Sequence, residues 1–268
     1  MGNIFHLYGL IVGVAIVVAI SLIEHQYKKL KFPEDYFWTL ITSSLIFGII
    51  GARLWHVATD FYLYENNLKE VFYLWNGGLS IFGGVLGGMV GIFLVFQFII
   101  NPNLKNNHSN FSINHFLDLA VFGLPVGQII GRLGNYVNQE LYGKPVGDFM
   151  KSSAFSVFKV YIKPENRLFG YENIEYYHPL FFYEIIFVAF FVIAIYLFSS
   201  KLPKVGKGKI FLIYILYYSL IRFFLDFVRL DKINVEVGGF ANIGINQLAL
   251  VFIFIFASYL FFRKKDVV

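Results

Sequence analysis

A chain of 268 residues that is 57% hydrophobic and 20% aromatic, with only 15% charged residues, lacks the polar surface of a soluble domain, which carries about 25% charged residues. Its net charge of +5 fits cytoplasmic loops and contacts with anionic lipid, not nucleic acid. With no cysteine, the chain has no disulfide, thiolate nucleophile or cysteine metal site; any thiol in its chemistry comes from a substrate.

A membrane span needs about 20 predominantly apolar residues. On that rule the sequence predicts about seven spans, near 4–23, 36–57, 79–100, 115–130, 179–199, 210–228 and 245–262. Met1 to Tyr8 carries no Lys or Arg, so the first span is expected to be a retained helix and not a secretory signal. The fourth span is short and interrupted by Asp118 and Pro125. In the third, Gly83, Gly87 and Gly91, and Gly84 with Gly88, recur at small-xxx-small spacing, which lets helices approach closely. The same glycines could also admit a ligand to backbone amides.

Lys28, Lys29 and Lys31, then Lys201, Lys204, Lys207 and Lys209, then Arg263, Lys264 and Lys265 all fall on one side of a seven-span layout. By the positive-inside rule that side is cytoplasmic, which puts the N-terminus outside and the C-terminus inside. The expected architecture is an all-α integral membrane protein, a single polytopic domain over 1–268. Residues 131–177 form an extracytoplasmic head between the fourth and fifth spans, with short strands expected around Phe155 to Ile162.

A charged side chain inside a bilayer costs about 2.5–3.5 kcal/mol even on the lenient scale, so the outer halves of the spans are informative. They hold Arg53, Arg132, Arg222 and Arg229, with Asp226, His178, Glu184 and His56. Arg222, Asp226 and Arg229 share a helix face at spacings of four and three. Asp226 is expected to neutralise one arginine and leave another for an anion; an internal salt bridge that only orients the helix is the other reading. In GRLGNYVNQELYGKPVG, Arg132 supplies a forked donor set suited to phosphate. Asn135 and Asn138 add amide groups, Glu140 adds a carboxylate, and Gly143 permits close approach. His178 precedes Pro179 at a membrane entry, a position that suits a helix start as well as a catalyst.

These segments resemble the prolipoprotein diacylglyceryl transferase family. GRLGNYVNQELYGKPVG is similar to its signature, approximately GRxGNFxNGExxG. HLYGL resembles its YG-containing first helix, GARLWHV its GARLxYV segment, WNGGLSIFGG its GGLxxHGG segment and YHPLFFYE its HPxxxYE segment. RFFLDFVR resembles RFxxExxR, and INQL the GQ-containing last helix. The blocks lie in the family's order over nearly the whole chain. The resemblance implies seven membrane helices in the bacterial inner membrane and no cofactor or metal. It implies transfer of the diacylglyceryl group of phosphatidylglycerol to the lipobox cysteine of a prolipoprotein signal peptide, giving a thioether and glycerol phosphate. It also implies catalytic roles for Arg132, Arg222, Tyr8, Asn135 and Glu140. Substrate contacts are expected from Arg132, Asn135, Asn138, Gly143, Arg222, Asp226, Arg229, Arg53 and His178.

Three departures stand out. Phe82 occupies the place of the family's His, Gln139 that of a Gly, and Asp226 that of a Glu. A phenyl ring cannot move a proton; the expectation is that the arginine-rich, positive site itself lowers the thiol pKa of about 8.5, with Tyr8, His56, His178 and Glu140 as candidates to relay the proton and His56 the most interesting of them. An inactive homologue, or a lipid-binding or transport protein on the same scaffold, is the alternative reading. Transporters place their charges near the bilayer midplane, whereas these lie toward the outer ends.

Overall fold

The computed structural model describes residues 2–107, 110–147, 158–230, 234–237 and 241–263. The chain divides into two compact units, Glu24–Phe116 and Met1–Ile23 with Leu117–Val268. The first helix, α1 (Gly2–Lys28), contributes to both.

Unit Glu24–Phe116 is built on a helix pair. Helix α2 (Glu34–Thr59) starts after Pro33 with Glu34 and Asp35 in its first turn and ends with His56 in its last, the charge order that the helix dipole favours. Three short 3-10 turns, Phe61–Leu63, Leu68–Phe72 and Leu74–Asn76, lead into α3 (Ile81–Val95). That helix passes through a π-helical turn, Phe96–Ile100, into α4 (Asn101–Asn107). The turn lies just before Pro102, which has no N–H to continue the regular ladder. The glycines of α3 meet α2 directly. A Cβ on Gly51 would run into the Gly83 carbonyl and the Gly87 Cα, and one on Gly87 into the Phe47 carbonyl. Close packing thus accounts for this stripe. At the other end of the unit, Tyr27, Phe32, Tyr36, Phe37, Phe111 and His115 form an aromatic cluster.

In the second unit the expected fourth span is not one helix. Helices α5 (Ile113–Ala120) and α6 (Leu124–Asn138) meet at a 46° bend. Pro125 in the first turn of α6 lacks the N–H that would continue α5, and Gly123 lies too close to the Ala19 carbonyl to carry a side chain. Residues Gly131 to Asn138, expected to open the head, therefore lie on a helix. Helix α7 (Leu180–Leu197) starts after Pro179, and α8 (Lys209–Asp226) follows a Lys-rich turn. An antiparallel hairpin, β3 (Asn234–Val237) and β4 (Ala241–Gly244), which the sequence analysis did not foresee, precedes α9 (Ile245–Arg263).

The protein is a multi-pass membrane protein. Among the described residues five helices are long and apolar enough to cross a bilayer, six with the bent pair. The expected count of seven would need α8 as well, and α8 carries Lys209, Arg222 and Asp226 within one helix. Large apolar side chains such as Leu10, Val17, Phe252 and Phe262 are exposed, as expected where the solvent is lipid.

The N-terminal end of α8 is held by Asp118, the residue that interrupts the expected fourth span. Fully buried, it accepts hydrogen bonds from the main-chain N–H groups of Gly206 (3.0 Å), Gly208 (2.8 Å) and Phe211 (3.0 Å). It thus caps the free donors of the helix start and meets the positive end of the dipole. Asp118→Ala strands these donors and should cost about 3 kcal/mol, read as a clear drop in the apparent melting temperature in micelles. Asp118→Asn should recover part of the loss.

A short head follows α6. Strands β1 (Val160–Tyr161) and β2 (Tyr176–Tyr177) pair antiparallel, so part of the expected strand region is confirmed, while 148–157 lies outside the described residues. Tyr142, Val160, Ile162, Tyr177 and Phe181 form its core. Segment 143–146 lies between β2 and the chain leaving α8. Gly143 donates to the His178 carbonyl (2.8 Å), Lys144 to that of Val228 (2.8 Å), and His178 to that of Lys144 (3.0 Å). The chain leaving α6 is joined there to the start of α7 and the end of α8 by main-chain bonds.

Candidate functional site

Those three helices deliver one polar cluster. On α6, Gln128, Arg132 and Asn135 lie at spacings of four and three; on α8, Tyr214, Tyr218 and Arg222 lie four apart. Each set shares a helix face. Helix α7 contributes Glu184, which is 1% exposed and receives donors from both sides. Its Oε1 accepts from Arg132 Nη2 (2.7 Å), Gln128 Nε2 (2.8 Å) and the Tyr218 hydroxyl (3.0 Å). Its Oε2 accepts from Arg222 Nη1 (3.3 Å). Tyr214 donates to Gln128 Oε1 at 2.8 Å, completing the inner edge.

On the outer side, Arg132 Nη1 donates to Asn135 Oδ1 (2.9 Å), and Asn135 Nδ2 donates to Glu140 Oε1 (2.9 Å). The Glu140 amide also donates to the Asn135 carbonyl (3.0 Å). Gln139 and Leu141, on either side of Glu140, both have left-handed backbones, each with φ 54°, an uncommon conformation for non-glycine residues. Gln139 Oε1 offsets that strain by accepting from the Lys163 amide (2.9 Å) and Asn166 Nδ2 (3.1 Å). The place of a family Gly is thus filled by a side chain that ties the helix end to the head.

The expected pairing shifts in one respect. Arg222 finds its counter-charge in Glu184, a residue the sequence analysis placed among the membrane charges without a role. Two guanidinium groups share that carboxylate, so the trio keeps one net positive charge. Arg132 Nε, buried, has no hydrogen-bond partner among the described residues. The pattern Gln128, Arg132 and Tyr214, Tyr218, Arg222 was readable as two four-residue repeats ending in arginine. Nothing in one sequence shows that they face each other.

The other expected residues fall as follows. The ring of Tyr8 on α1 lies against Gly134, where a Cβ would stand 2.8 Å from its Cδ2. Asp226 is buried against Gly244. Arg229 and Gly143 are joined by a main-chain bridge. His178 shares a hydrogen bond between Nδ1 and the Tyr183 hydroxyl (2.9 Å), and burial pushes its pKa down. Asn138 ends α6. Arg53 belongs to the other unit, and all its donors go to carbonyls: Nε to Val71 (2.8 Å), Nη1 to Gly77 (2.7 Å) and Gly78 (3.0 Å), and Nη2 to Glu70 and Tyr73. It organises the 60–78 loop and has no N–H to spare for a phosphate. Phe82, which stands in the place of the family's His, is 60% exposed.

A Cβ on Gly143 would stand 3.0 Å from His178 Cβ, Val228 Cγ1 and the Val228 carbonyl. Gly143→Ala should therefore push the stitched segment apart by a few tenths of an ångström. The expected cost is about 1 kcal/mol or more, as for an overpacked core, with turnover falling further than stability because the helix ends shift. Parallel melting and turnover assays check it.

The bent helix, the buried carboxylate between two arginines and the lipid-facing exterior define a membrane-embedded protein with a buried Arg–Glu–Arg cluster. The family model for prolipoprotein diacylglyceryl transferase matches residues 2–263, and the chain belongs to that family. It is 32% identical over 260 residues to the phosphatidylglycerol--prolipoprotein diacylglyceryl transferase of Acaryochloris marina, covering 92% of this chain and 86% of that one. It is 31% identical to the enzyme of that name from Fervidobacterium nodosum (92% and 77% covered) and 30% to that of Lactobacillus acidophilus (97% and 86%).

Proposed function

We propose that this chain transfers the diacylglyceryl group of phosphatidylglycerol to the lipobox cysteine thiol of a prolipoprotein, forming a thioether and releasing glycerol phosphate. The observation that carries the reading is the cluster of Arg132 and Arg222 on one buried Glu184. A phosphate ester is a poor leaving group unless its charge is stabilised, and preorganised arginine donors away from water do this well. The spare positive charge and the spare Nε–H of Arg132 suit one phosphodiester. Asn135 fixes the direction of Arg132, and Tyr8 packs on Gly134 of the same helix. Asn138, Gly143, His178, Asp226 and Arg229 then shape the surroundings of the substrates. Both substrates are membrane-borne and enter laterally.

Purified protein in micelles with labelled phosphatidylglycerol and a lipobox peptide should move label to the peptide. Absence of transfer, while the Acaryochloris marina enzyme transfers under the same conditions, would overturn the reading.

The Lys-rich segments at 28–31, 201–209 and 263–265 favour an N-terminus outside the bacterial inner membrane, the head outside and the C-terminus in the cytoplasm. This needs α8 as a seventh span. Reporters placed after Lys209 and in the head should report opposite sides; the same side for both would rule it out.

A further inference from the structure

We propose that Glu140 is the catalytic residue that takes the thiol proton in this chain, an assignment that rests on the transferase reading above. The position of a family His is held by Phe82, which cannot accept a proton. The geometry ranks the candidates. His56 is committed to Asp60, 3.1 Å away. His178 already shares Nδ1 with the Tyr183 hydroxyl at 2.9 Å. Glu184 is saturated by four donors that belong to the cluster. Tyr8 is a phenol whose ordinary pKa of about 10 leaves it protonated at neutral pH, so it is no base.

Glu140 differs from all of these. Its carboxylate is exposed, while the side chains behind it are not. Oε1 is fixed by Asn135, and Oε2 has no hydrogen-bond partner among the described residues. It stands one asparagine away from Arg132. The left-handed residues on either side, and the Gln139 ties to Lys163 and Asn166, hold it in one place. Strained backbone of this kind persists where the surroundings over-determine it, and it concentrates at functional sites.

As the cysteine sulfur attacks the glycerol carbon, its S–H proton passes to Oε2 of Glu140. The carbon–oxygen bond to phosphate breaks with its electron pair on oxygen, and glycerol phosphate leaves toward Arg132 and Arg222. The carboxylic acid then gives its proton to water or to the departing phosphate. A carboxylate is a weak base for a thiol whose pKa is about 8.5. The net positive charge of the arginine pair offsets that mismatch by stabilising the thiolate as it forms.

The test compares a lipobox peptide carrying cysteine with the same peptide carrying selenocysteine, whose selenol is already ionised at neutral pH and needs no base. Turnover is measured at saturating peptide in phosphatidylglycerol micelles. In Glu140→Gln, which keeps an oxygen for Asn135, the thiol rate should fall about 100-fold or more, while the selenol rate falls far less. Glu140→Asp, with its carboxylate drawn back by one methylene, should likewise lose more thiol than selenol rate. Equal loss on both peptides in either variant would overturn the proposal and make Glu140 a positioning residue for Asn135. Unchanged thiol turnover would also overturn it. A wild type inert on both peptides would remove the transferase reading itself, and this assignment with it.

Discussion

Glu184→Ala should fail to accumulate as folded protein. The carboxylate is 1% exposed and is the shared counter-charge of Arg132 and Arg222. Removing one partner of a buried ion pair costs about 3–5 kcal/mol, because the other charge is left uncompensated; here two such charges face the gap. Gln128 and Tyr218 lose an acceptor at the same time. Glu184→Gln keeps the shape and one oxygen but drops the charge, so it should fold in reduced yield. The monodisperse fraction after size-exclusion chromatography in detergent measures both. A Glu184→Ala protein as stable as the wild type would show that the arginines are compensated by something other than this carboxylate.

Arg132→Lys and Arg222→Lys should each fold and lose about 100- to 1,000-fold in turnover, the usual effect of removing one preorganised donor to developing charge. Arg132 spends Nη1 on Asn135 and Nη2 on Glu184 while Nε remains available. A compact ammonium cannot occupy those three directions at once. Lysine retains the charge, so the fold should survive, and the loss should fall mainly on kcat. Turnover within a few-fold of wild type in both variants would remove the phosphate clamp from the mechanism.

The membrane class, the places of most helices and the residues Arg132, Asn135 and Arg222 were legible in the sequence, because length, apolarity and isolated charges act locally. The bend at Val121–Gly123 was half legible: Asp118 and Pro125 marked an interruption, but only the structure shows Asp118 reaching the start of α8. Glu184 was visible as a charge and not as a centre, since its four donors come from two other helices distant in sequence. Arg53 misled for the same reason. An arginine in a membrane helix looks poised for an anion until the loop carbonyls that consume it are known. Gln139 read as a departure from a family glycine, and its compensating bonds to the head could not be read from the helix alone.

The stitched segment 143–146 has a consequence for how such a protein can change over time. The exit ends of α6, α7 and α8 are registered by amide and carbonyl groups that every non-proline residue carries. Side chains that neither fill the head's core nor, like Gln139, tie it to α6 can therefore drift without moving the helices that bear Arg132, Glu184 and Arg222. Gly143, where no Cβ fits easily, is bound to its identity. A chain that is 32% identical over 260 residues to the Acaryochloris marina enzyme can in this way keep a fixed scaffold under a variable surface.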